Sequence, residues 1–304
     1  MAVAPVRQSD DPAAPGARPT RRIPLALATW ALIALVLAIV VVLLVLKITQ
    51  GAATVASGLS GPAVAPAPGG VVQAATSVPA ATYDAVGAPA VTDPLPDLLS
   101  GQPVPTVGGK PAVVFVGAEF CPYCAAERWV VVAALARFGT FARLGQTSSA
   151  PNQVFAKTAT FTFDGSRYSS RYLTLDVTEA YADQPSTTAP AGVPSLDQPS
   201  SLATNLLHHY GTASATGPVL PFLDAGNRLV ARGAAIGISP GILAGESMAQ
   251  IAGALDDPTD PGTQAILGAA NELDAALCAL TAGQPASVCG SAAVHAGTAR
   301  LGLG

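Results

Sequence analysis

The chain has 304 residues, of which 50% are hydrophobic and only 11% charged, with a formal net charge of −4. That balance excludes the basic footprint of a nucleic-acid-binding protein. So apolar an average implies a membrane segment set apart from a soluble domain of roughly 200 residues. Residues 1–23 read as a tail carrying Arg7, Arg18, Arg21 and Arg22. Residues 24–48 read as a transmembrane helix. Leu25 to Leu46 holds no charge, and at 1.5 Å per residue it spans roughly 33 Å, enough for a bilayer core. After Lys47 no Lys or Arg appears until Lys110. The positive-inside rule then puts the tail in the cytoplasm and the rest outside, as in a single-pass plasma-membrane protein. A cleaved signal peptide is the competing reading, and it exports the same domain.

Residues 49–104 are rich in Ala, Pro, Gly, Ser, Thr and Val and show no period. They read as a disordered tether. An extracytoplasmic domain is expected over 105–290, followed by a flexible tail over 291–304. Ala112 to Gly117 is a short apolar run, as in a central strand covered on both faces. It leads through Glu119 and Phe120 into Cys121. From Pro122 to Phe138 the spacing of Trp129, Val132, Leu135 and Ala136 is helical, and Gly139 is a stop. Ala159 to Phe163 and Tyr172 to Val177 alternate like strands. Asp164-Gly165 between them predicts a hairpin or a long excursion. A Pro/Ser/Thr loop covers 184–200, and a helix is expected from Leu202 to Tyr210. Residues 218–223, 224–227 and 228–233 read as strand, turn and strand. Further helices are expected over 240–255 and 263–280.

The chemistry gathers at Cys121-Pro122-Tyr123-Cys124. Two thiols three positions apart at a helix start can close a disulfide. The first meets free N–H groups and the positive end of the helix dipole, which favour the thiolate. Cys121 is then the nucleophile that forms a mixed disulfide, and Cys124, one turn further in, resolves it. An inert structural disulfide and half of a zinc site with His208 or His209 are the competing readings. Glu127, one turn after Cys124, is a candidate base or else a solvated helix-face residue. Asp176, Glu179 and Asp183 read as a solvated edge. Cys278 and Cys289 flank a Gln284-Pro285 turn. They are expected to form a structural disulfide, with a second redox pair as the alternative.

A strand, a CxxC and a helix, followed later by Val219-Leu220-Pro221-Phe222 and a strand–turn–strand, resemble the thioredoxin superfamily. The resemblance covers roughly 111–255, with about 60 residues inserted before the Pro221 strand. It implies an α/β fold with a central mixed sheet flanked by helices, and a cis-proline at Pro221. It also implies a substrate-binding edge formed by Pro122, Tyr123 and Leu220. Phe120 stands where the family often has Trp, and Phe115 stands where thioredoxins carry a buried acid. The stretches GAEFCPYCAAERW, TFTFDGSRYSSRY, LLHHYGTASATGPVLPFLDAGNRLV and CALTAGQPASVC are similar to the membrane-anchored prokaryotic family called domain of unknown function 929. The expected activity is thiol–disulfide exchange on exported proteins, reset by a redox partner, with no cofactor and no metal. A non-catalytic binding module and a metal carrier are the alternatives.

Overall fold

The computed structural model describes residues 64–89, 96–183, 194–211, 213–214, 217–233 and 237–303. The transmembrane helix expected over 24–48 and the tail over 1–23 lie outside them. No helix among the described residues is long and apolar enough to cross a membrane.

The fold is built around strand β3 (Lys110–Gly117), whose last six residues are buried. It runs parallel to β8 (Thr174–Glu179) and antiparallel to β11 (Phe222–Ala225). Beyond β11 lie β12 (Leu229–Arg232) and the short edge β1 (Asp97–Leu98), and β2 (Thr106–Val107) folds back on the start of β3. The sheet is mixed, as expected. Successive side chains of a strand face opposite sides, and the core follows that rule. Val113, Phe115, Leu223, Ala225, Leu229 and Ala231 join one apolar cluster. Val114, Val116, Phe222 and Val230 join another, together with Ala203 and Leu206. The first face is covered by α3 (Pro122–Ala136) and α6 (Pro261–Leu280), the second by α4 (Ser201–Tyr210).

Helix α3 is buried from Cys124 to Leu135 on every side, because α6 and other elements pack on it in addition to the sheet. A helix apolar all round is an interior helix. Its start is fixed by Cys121 as N-cap and Pro122 at the first helical position.

Three expectations need correction, and one open choice is decided. The tether over 49–104 is not disordered throughout: α1 (Gly69–Thr76) and α2 (Ala80–Val86) lie within it and bury Val71, Ala75 and Tyr83 against the main core. The tail over 291–304 contains α8 (Ala292–Leu301), which packs on α6. Of the hairpin and the long excursion anticipated around Asp164-Gly165, the excursion is what forms. β6 (Ala159–Thr162) pairs with β5 (Gly145–Ser148), β7 (Arg167–Ser170) pairs with β4 (Gly139–Ala142), and β8 crosses back to the main sheet. Residues 139–173 are therefore a four-strand excursion. The helix anticipated over 240–255 breaks into a 3-10 turn at Pro240–Leu243 and α5 (Met248–Ala254), with Ser247 and Gln250 forming a capping box at the restart. Two two-residue strands, β9 (Ala213–Ser214) and β10 (Gly217–Pro218), pair just before β11. A one-turn helix, α7 (Ala286–Cys289), precedes α8.

Candidate functional site

Strand β3 ends at Gly117, and four residues later the chain turns into α3. That short link puts Cys121 just beyond the C-terminal end of an interior strand, at the positive end of a 15-residue helix. Its sulfur accepts the Cys124 backbone N–H at 3.3 Å. Its thiol also faces the Leu220 carbonyl oxygen at 3.9 Å. The Leu220–Pro221 bond is cis, and Pro221 leads into β11, the neighbour of β3. Residues a hundred positions apart thus meet because their strands are adjacent.

Cys121 and Cys124 are both thiols, Cys121 8% exposed and Cys124 sealed from solvent. A hydrogen bond from the Cys124 side chain holds the Cys121 thiol below its ordinary value. Burial opposes that shift, and the Arg128 charge adds to it. Burial pushes the Cys124 thiol well above its ordinary value, and the shared hydrogen bond adds to that. The two sulfurs are therefore split: Cys121 gives up its proton more readily than an ordinary thiol, and Cys124 less readily.

Beneath them lies a charged layer. Cys124, Glu127 and Arg128 occupy positions i, i+3 and i+4 of α3, one face of the helix. Glu127 is buried and neither carboxylate oxygen has a hydrogen-bond partner, so it is not a solvated surface residue. Burial raises its pKa well above the ordinary range, with the Cys121 charge contributing. Arg128 is fully buried and forms a two-pronged pair with Glu179, Nε to Oε1 at 2.8 Å and Nη2 to Oε2 at 2.6 Å. Glu179 also accepts the Phe163 backbone N–H at 3.2 Å. The solvated edge expected around Glu179 is thus an interior ion pair at the end of β8. Sequence reading passed over Arg128, though a signal existed. Glu127 and Arg128 are the only charges in the 15 residues of α3, and a charge in such a helix needs a buried partner.

Glu119, two residues before Cys121, is also buried. Burial lifts its pKa to about 7, although a Thr162 hydrogen bond and Arg128 pull it down. Asp224 in β11 is raised to about 6 by burial, against hydrogen bonds from the Asn227 and Gly226 backbone. A raised folded-state pKa means that the native state holds protons the unfolded chain has lost. The stability contribution is then complete below about pH 4 and is lost as pH rises through the folded value. Glu119→Gln, which mimics the protonated acid, removes that loss. The variant is expected to gain about 1–2 kcal/mol on its parent between pH 4.5 and 7.5, after allowing for solvent screening. Urea unfolding at both pH values checks this, and a constant gap would refute it.

Cys278 and Cys289 form a disulfide joining α6 to α7. Cys278 belongs to the main core, whereas Cys121 and Cys124 form a separate small cluster with Ala118. The two pairs are not brought together. His208 and His209 close the last turn of α4. Among the described residues no group of three or more His, Cys, Asp and Glu side chains is placed to hold a metal. Tyr123 is exposed and Pro122 buried beside Cys121, with Leu220 half-buried across from it.

The family model for "Domain of unknown function (DUF929)" matches residues 102–279. The chain belongs to this family. The DUF929 region includes Cys121, Cys124, Glu127, Arg128, Glu179, Pro221 and Cys278, while α1, α2, Cys289 and α8 fall outside it. No curated protein and no solved structure matches the chain.

Proposed function

We propose that this DUF929 protein is a thiol–disulfide oxidoreductase of thioredoxin-like fold, held at the membrane and acting on exported proteins. One observation carries the reading: the Cys121 sulfur sits at a helix N-terminus between the Cys124 N–H and the Leu220 carbonyl, in front of a buried second thiol. The strand order β8-β3-β11-β12, with β3 and β8 parallel and the others antiparallel, supports the fold assignment.

The Cys121 thiolate attacks one sulfur of a substrate disulfide. That S–S bond breaks, a Cys121–substrate disulfide forms, and the released sulfur takes up a proton. Cys124 then gives up its proton and attacks the Cys121 sulfur, releasing the second substrate thiol and closing Cys121–Cys124. Two electrons pass from the pair to the substrate, and the reverse sequence oxidises a dithiol. Glu127 exchanges the Cys124 proton. A dithiol or disulfide partner outside the membrane resets the pair.

The test is equilibration of the full-length protein in thiol/disulfide buffers, with free thiols trapped by alkylation and counted by mass. The expected result is a reversible two-electron transition of Cys121–Cys124, at a midpoint between about −270 and about −120 mV. Cys121→Ser should abolish it. A pair that never changes state across that range would leave a binding module instead.

A further inference from the structure

A groove of about 200 Å³ opens directly beside Cys121, lined by Phe120, Cys121, Pro122, Tyr123, Gln153, Val154 and Phe155. Half of this wall comes from the CPYC segment. The other half comes from the loop over 149–158, part of the excursion between β5 and β6. The loop is fastened to the site. The Ala150 N–H donates to the Phe120 carbonyl at 3.0 Å, one residue before the nucleophile. The Phe155 carbonyl is pinned by two hydroxyls, Ser149 at 2.7 Å and Thr158 at 3.0 Å. The Phe155 ring stands edge-on to Tyr123, with centroids 6.4 Å apart. It also lies against Gly241, where a side-chain carbon would come within 3.0 Å of it.

The groove therefore has fixed walls, and its rim is apolar and open to solvent. Val154 is 89% exposed and Tyr123 38% exposed. Exposed apolar side chains clustered about a reactive sulfur mark a contact surface. Apart from the Cys121 sulfur itself, no lining side chain is an acid or a base, and the one amide, Gln153, is neutral. An acidic or basic side chain placed against Tyr123, Val154 and Phe155 would lose water and gain no counter-ion from them. The volume is below the 300–1,000 Å³ typical of small-molecule sites, so it suits one side chain better than a whole small molecule.

We infer that this groove is a specificity subsite that takes an uncharged apolar side chain flanking the reacting cysteine of an extended polypeptide. The inference rests on the exchange activity proposed above and adds the class of substrate. A polypeptide that presents its sulfur to Cys121 carries its neighbouring side chain past the wall of Tyr123 and Phe155. A small charged thiol finds no partner there.

The experiment uses the full chain in nanodiscs and hexapeptides with one central cysteine, capped as a disulfide with 2-mercaptoethanol. The residue beside the cysteine is Leu, Asp or Lys. The expected result is an exchange rate at least about tenfold higher for Leu than for either charged peptide, a difference of about 1.4 kcal/mol. Val154→Asp should bring the Leu-to-Asp and Leu-to-Lys ratios apart from each other, the Lys peptide gaining most. Val107→Asp, on the remote β2 edge, should leave both ratios as they were. Fluorescence anisotropy of the same peptides, with Ser in place of Cys, reads binding apart from chemistry. Equal rates and equal binding across the three peptides overturn the subsite. A Leu preference in binding without exchange of any capped peptide keeps the subsite and sinks the oxidoreductase reading. Peptide binding that disappears as the protein dimerises overturns the proposal in favour of a second copy of the chain.

Discussion

Replacing Arg128 with methionine is expected to destabilise the protein by about 3–5 kcal/mol, the usual cost of leaving one member of a buried ion pair alone. The guanidinium is fully buried and donates two hydrogen bonds to Glu179, which is itself buried. Without it, a carboxylate inside the protein keeps only the Phe163 N–H. Such a loss is a large share of a typical total stability of about 5–15 kcal/mol. Urea unfolding of the parent, Arg128→Met, Glu179→Gln and the double variant measures it. The double variant should recover much of the loss, because it removes the orphaned charge as well. A single-variant loss below about 1 kcal/mol would mean that water reaches the Glu179 carboxylate. The same substitution removes a positive charge that favours the Cys121 thiolate. The pH midpoint for alkylation of Cys121 should therefore rise in Arg128→Met.

The second large effect concerns where the folded domain begins. A fragment starting at residue 61 is expected to unfold cooperatively, and one starting at 105 is not. The shorter fragment lacks α1 and α2, whose Val71 and Tyr83 are buried in the main core. Burying two such side chains contributes about 3–6 kcal/mol. Their polar contacts go too. The Asn271 side-chain amide donates to the Tyr83 and Gly87 carbonyls at 3.1 and 2.7 Å, and both partners disappear. So does the Asp84 carboxylate that caps the Ala293 N–H at 2.8 Å. The Tyr83 ring under the Arg137 guanidinium, 4.2 Å away, is lost as well. Leaving a buried amide unpaired costs a further 1–3 kcal/mol or about that. Calorimetry of the two fragments decides it. A fragment from 105 that melts cooperatively within a few degrees of the longer one would show α1 and α2 to be ornaments on a complete core.

These two cases also show what a sequence displays and what it conceals. The site was legible because its signals are local or strongly patterned. An apolar strand running into CxxC at a helix start is visible within 25 residues, and the Leu220-Pro221 segment stands out before a strand–turn–strand. α1 and α2 were not legible. Gly69-Gly70-Val71-Val72-Gln73-Ala74-Ala75-Thr76 contains residues of poor helix propensity, and both helices start after a proline with no side-chain cap. They exist because the core covers one side of them, and nothing in their own composition says so. The Arg128–Glu179 pair joins residues 51 positions apart. Only the layout of β3, α3 and β8 makes them neighbours. The choice between a hairpin and a long excursion at Asp164-Gly165 stayed open for a related reason. Alternation marks a strand without naming its partner, and the Asp164-Gly165 turn links β6 to β7, each of which pairs elsewhere.

The buried carboxyls near the cysteines set durability and reactivity against each other. Acidifying the surroundings keeps Glu119 and Glu127 in the neutral form their burial prefers, so the body of the protein holds more firmly. The same protons silence the Cys121 thiolate, the form that attacks disulfides. Toward alkaline pH the nucleophile is freed while charge accumulates in the interior that supports it. Under the proposed exchange activity, reactivity rises with pH while the stability contributed by the buried acids falls. The protein's turnover and its lifetime should peak at different pH values.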